Sequence, residues 1–144
     1  SCILNSVLNI KYSAAQVADI KIESNIFVPK YMNIDYGDMG VLFGNLLDNA
    51  IEANQGVDRK KRWINVSVKY EEHILIINIK NSKIRGSRRK KKGYLNHGIG
   101  LNSVKQIVEK FNGIVEVQDF GEMYEVSAIL YGICDDKDLG KSVL

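Results

Sequence analysis

The chain has 144 residues, 20 Lys and Arg against 17 Asp and Glu, and a formal net charge of +3. Hydrophobic residues at 45% and charged residues at 26% are ordinary for one globular domain that needs no staples. No run of about 18 apolar residues occurs, the start does not read as a signal peptide, and Cys2 and Cys134 form no CxxC pair, which argues against a membrane span and a structural zinc site and for reduced thiols in a cytosolic setting.

In chain order, Ile3, Leu4, Val7, Leu8, Ala14, Ala15 and Ala18 recur near helical spacing and predict a helix over 2–18. Ile20, Ile22, Ser24 and Ile26 alternate with polar residues, as in a half-buried strand. Asp35 or Asp38 is placed to cap a second helix running to about Asn54. Strands follow at 63–70 and 74–80, joined by a hairpin at Glu71-Glu72. Residues 81–97 read as a long polar loop. A third helix carries Leu101, Val104, Ile107, Val108 and Phe111, with Gly113 in the place of a left-handed cap. Val115 and Val117 alternate in a fourth strand, a turn falls near Asp119-Phe120-Gly121, and a last strand spans 123–131. Residues 132–144 read as a loose tail. The order predicts an α/β (α+β) two-layer sandwich: a mixed, mostly antiparallel sheet of about five strands with three helices on one face.

The net charge is unevenly placed. Seven bases and no acid lie between Lys83 and Lys92, so the remainder holds 20 − 7 = 13 bases against 17 acids. A solvated lid that steers anions explains this run better than nucleic-acid binding, because no aromatic residue interleaves it before Tyr94.

The second helix carries the strongest chemical signal. Leu42, Phe43, Leu46, Leu47, Ala50, Ile51 and Ala53 share one arc. Asn45, Asp48, Asn49 and Glu52 fall on the other, at i, i+3, i+4 and i+7. Two readings stand: a wet surface face, or an oxygen-rich set suited to a hard divalent cation and phosphates. Further on, Asn96-His97-Gly98-Ile99-Gly100-Leu101 opens the third helix, where glycines permit close approach and free amides favour anions. It lacks the Lys-Ser pair of a phosphate loop.

LLDNAIEA, then a strand ending in a short polar residue, a lid-like loop and GIGL on a helix, form an ordered set. Over residues 1–131 it resembles the GHKL superfamily, and more closely the catalytic and ATP-binding domain of sensor histidine kinases in the peptide-pheromone and LytS-like branch. The resemblance implies a Bergerat-type ATP-binding fold filling 1–144, with a lid at 82–97. It implies ATP and Mg2+ as ligands. Asn49 matches the magnesium-binding asparagine, and Asn45 the site where gyrase-like members carry a water-activating glutamate. An amide is no base at neutral pH, which favours phosphoryl transfer to histidine over hydrolysis. Glu52 replaces a common lysine, leaving Lys105 and the lid bases as phosphate-side cations. Asn81 stands where the family's adenine-reading aspartate sits, in a box whose glycines are largely lost (Asn81-Ser82-Lys83-Ile84-Arg85-Gly86). Gly98, Ile99, Gly100, Leu101 and Asn102 match the second glycine box. The implied partners are dimerisation and phosphoacceptor helices outside this chain and a response regulator. The parent would be a membrane-bound homodimer, with this domain cytoplasmic and touching neither membrane nor nucleic acid. The competing reading is a nucleotide-binding regulatory module of the anti-sigma or split-kinase sort.

Overall fold

A computed structural model describes residues 2–86 and 93–133; the side chains at 2 and 93–99 are outside the described set. The predicted lid core at 87–92 and the tail from 134 also lie outside it.

Helix α1 (Cys2–Val17) buries Leu4, Leu8 and Ala15. It ends where Asp19 takes a left-handed φ of 58° and the Ile20 amide reaches back to the Ala15 carbonyl at 2.9 Å. Strand β1 (Lys21–Ile26) runs parallel to β2 (Trp63–Glu71). Between them, helix α2 (Tyr36–Ala53) starts at Asp35, whose carboxylate accepts from the Asp38 amide at 2.7 Å. Asp38 instead receives a bond from Lys110 at 2.8 Å, tying the start of α2 to the end of α3 (Gly93–Lys110).

Strands β2 and β3 (Ile74–Ser82) form a hairpin whose two-residue turn is Glu72-His73, one residue later than the sequence predicts. Both turn residues have positive φ, 47° and 72°, as the twist of a tight hairpin requires. Strand β3 also runs to Ser82, past the expected end at Lys80. Strands β4 (Ile114–Asp119) and β5 (Met123–Tyr131) complete a sheet of order β1-β2-β3-β5-β4, antiparallel except at β1–β2. The α/β sandwich follows from alternation: Ile64, Val66 and Val68 on β2, Leu75, Ile77 and Ile79 on β3, and Val126, Ala128 and Leu130 on β5 are buried. They pack with Leu42, Phe43, Leu46, Leu47 and Ala50 of α2 and Val104, Ile107 and Val108 of α3.

Helix α3 differs from expectation at both ends. Its C-terminal left-handed residue is Asn112 (φ 55°), not Gly113. Gly113 is one place further on, donating its amide to the Val108 carbonyl at 3.0 Å. It is needed for space, because a β-carbon there would lie 1.8 Å from the Ile129 carbonyl oxygen. The N-terminus lies at Gly93 rather than at the glycine pair.

Candidate nucleotide site

The polar stripe of α2 is not a uniformly wet face. Asn49 is only 5% exposed, and neither its Oδ1 nor its Nδ2 has a hydrogen-bond partner among the described residues. An unpaired buried polar group costs roughly 1–3 kcal/mol, so such an amide calls for a partner such as a water, an ion or a ligand. The neighbours on the stripe diverge. Asp48 pairs with Lys11 of α1 at 2.8 Å. Asn45 donates to the Gly100 carbonyl of α3 at 3.4 Å, a long bond that brings the glycine segment beside the middle of α2. Asn49 lies one turn, about 6 Å, further along. Among the described residues nothing approaches within 4 Å of where a Gly100 β-carbon would be.

Strand pairing places the opposite wall. Ile64 pairs with Asn81, Asn81 with Tyr124, and Tyr124 with Asp119, forming one row across β2, β3, β5 and β4. Directly paired residues share a face, and Asn81, fully buried, puts this row on the helix side. Asn81 donates through Nδ2 to the Ser82 carbonyl at 3.0 Å. That partner can only accept, so Oδ1 is the free end, and it is buried without a partner. An acceptor is what an exocyclic amine requires.

The wall is fastened to α2 through Ser82. Its hydroxyl donates to Asn54 Oδ1 and accepts from the Trp63 amide at 3.0 Å, while Asn54 Nδ2 donates to the Ala50 carbonyl at 3.0 Å. Ser82→Ala is expected to lower stability by about 1–3 kcal/mol, seen as a shift in urea midpoint, because it orphans two buried groups. At the far end of the row, Lys83 pairs with Asp119 at 3.2 Å and donates to the Gly121 carbonyl at 2.9 Å, anchoring the root of the basic loop.

Tyr124 was not legible as a site residue. Burial raises its phenol above the usual range, the Asp119 charge adds to this, and the Asn49 amide acts the other way as a donor. No hydrogen bond joins the phenol to Asn49 among the described residues.

The other expected residues are less convergent. Glu52 is half-buried on α2, and Leu101 is half-buried against the core. Asn102 and Lys105 are exposed on α3, and neither bonds to Asn45, Asn49 or Asn81 among the described residues. Gly98, Ile99 and Gly100 lie inside α3, five residues or more past its start, where backbone amides face the carbonyls four residues earlier. The free amides of this helix start belong to Gly93 through Asn96.

These residues fit a magnesium nucleotide. No group of three His, Cys, Asp or Glu gathers among the described residues. One buried amide oxygen with no partner among the described residues suits a hard cation that draws its remaining ligands from water and phosphate.

The model of the GHKL domain family matches residues 34–130, more than half of the chain, and the chain belongs to that family. A curated relative, the probable C4-dicarboxylate sensor kinase of Bacillus subtilis (strain 168), is 32% identical over 95 residues. That match covers 59% of this chain and 18% of the relative, so the chain spans under a fifth of that protein. Among solved structures, the catalytic domain of histidine kinase ThkA superposes with a TM-score of 0.67 at 14% identity, covering 90% of each chain. Acinetobacter baumannii histidine kinase AdeS gives 0.67 at 16% identity over 90% of this chain and 63% of that one. Full-length ShkA in complex with AMPPNP gives 0.68 at 14% identity over 92% and 30%. The fold is the one that these histidine-kinase domains share. No described helix is long and apolar enough to cross a membrane.

Proposed function

We propose that this chain is the Mg-ATP-binding catalytic domain of a sensor histidine kinase. It delivers the γ-phosphoryl to a histidine on dimerisation helices outside these 144 residues, for relay to a response regulator. The parent protein is a membrane-anchored homodimer, and this domain works on its cytoplasmic side. The observation that carries the reading is the pair of buried amide oxygens without a partner among the described residues, Asn49 Oδ1 on α2 and Asn81 Oδ1 on β3.

In this reading Asn81 accepts from the adenine amine, and Asn49 holds the magnesium that neutralises phosphate charge when bound. Asn45 cannot take a proton from water. It steadies α3 through Gly100, so the domain positions a phosphoryl group for a nucleophile that needs no activating base. Mixing the domain with its dimerisation helices and labelled ATP is expected to give acid-labile phosphohistidine. Nucleotide binding without any transfer would instead indicate a regulatory module that acts through partner contacts.

A further inference from the structure

Helix α1 is apolar on more than the side it buries. Leu4, Leu8 and Ala15 face the core, and Ile3, Val7, Ile10, Ala14 and Val17 form a second row beside them. The row steps by 4, 3, 4 and 3 residues, which is the spacing of a seam between two helices. It is half-buried at Ile3 and Val7 and open beyond them. Ile10 is 65% exposed, Ala14 is exposed and Val17 is 84% exposed, so no described residue covers this outer half. The helix packs on α2 and on the edge strand β1, at the margin of its layer. Its one charged side chain, Lys11, is turned away along Gly44, where a β-carbon would lie 3.7 Å from Cε, and is paired with Asp48 at 2.8 Å.

We infer that this row docks the α1 helix of a second copy of the chain, with the two helices antiparallel. Charge selects the occupant. Partner choice along a helical seam is set by the charges that flank it. Here the flanks are Ser6 and Ser13 on one side and Leu4 and Lys11 on the other, with Lys11 already neutralised by Asp48. Such a seam offers a charged partner helix nothing to pair with, whereas two copies meet with no like charges opposed. Side-chain size selects the direction. Antiparallel packing sets Val17 on Val7 of the partner subunit and Ile10 on Ala14 of the partner subunit. The resulting four layers cover every exposed member of the row and place a large side chain on a small one. Parallel packing would stack Ala14 on its own copy and leave a gap. The antiparallel pair is isologous and closed. It leaves the nucleotide side uncovered, because α3 packs on α2, β4 and β5, away from α1. A helix of 16 residues is about 24 Å long, and its seam falls well short of a standard interface of roughly 1,600 Å², so the pair is weak in free solution.

The test is sedimentation equilibrium of the chain without nucleotide, in a reducing agent so that Cys2 and Cys134 cannot link copies. The average mass is expected to rise from monomer at about 10 μM toward dimer at about 1 mM. Ile10→Glu and Ala14→Lys are each expected to weaken association at least about tenfold. Both positions are exposed, so urea midpoints are expected to stay at the wild-type value. An equimolar mixture of the two variants is expected to regain the dimer, because antiparallel layers set the new carboxylate opposite the new ammonium. Three results would overturn the inference: a wild-type chain that stays monomeric to about 1 mM, a dimer that survives both substitutions, or a mixture that stays monomeric.

Discussion

Asn49→Ala is expected to remove at least about tenfold of the affinity that magnesium adds to ATP binding, while leaving the fold intact. The two halves of this expectation come from one observation. In the free protein both amide atoms of Asn49 are buried and unpaired, at a cost of order 1–3 kcal/mol. Truncation removes that cost and opens only a small space, so unfolding free energy is expected to stay within about 1 kcal/mol of wild type. A residue kept for packing would behave in reverse, losing stability and sparing the metal effect. Paired titrations with and without magnesium, alongside urea unfolding, separate the two.

Gly113→Ala is expected to cost about 3 kcal/mol and to be the most damaging single methyl in the described fold. The new β-carbon would sit 1.8 Å from the Ile129 carbonyl oxygen and 2.8 Å from Val108 Cγ1. The first of these atoms is backbone in β5, so relief requires moving α3 away from the sheet. That junction also holds the Tyr131 amide on the Phe111 carbonyl at 3.0 Å. Gly40→Ala provides the contrast. It lies in α2 with nothing within 4 Å of the added carbon, and is expected to stabilise by about 0.5–1 kcal/mol. Urea midpoints of the two variants should move in opposite directions.

Periodicity made the framework legible. The apolar arc of α2, the strand segments of β2, β3 and β5 and the Asp35 cap, one of the two expected, are local signals, and each appears within a residue or two of its expected place. Asn81 was identified by its place at a strand end. Its free Oδ1 was not, because that depends on a bond to the next residue's carbonyl. Gly113 followed the helix as predicted, but its role is contact with β5, a long-range fact that spacing cannot carry. Asn112 supplies the left-handed turn because asparagine tolerates it. Tyr124 was hidden for the same reason as the Gly113 contact. Its place on the helix-facing side, beside Asn81, required knowing that β5 pairs with β3. The extra turns at the start of α3 run through glycines that local helix preference does not favour, so residue-by-residue propensity could not foresee them.

The central claim is spatial: α2, the glycine segment of α3 and the row at the ends of β3 and β5 enclose one ligand. Amide chemical-shift mapping with Mg-ATP addresses it in a single titration. The largest shifts are expected at Asn45, Asn49, Asn81, Gly100 and Tyr124. Shifts centred on the opposite face of the sheet, around the Asn78, Glu125 and Ser127 hydrogen bonds, would contradict it.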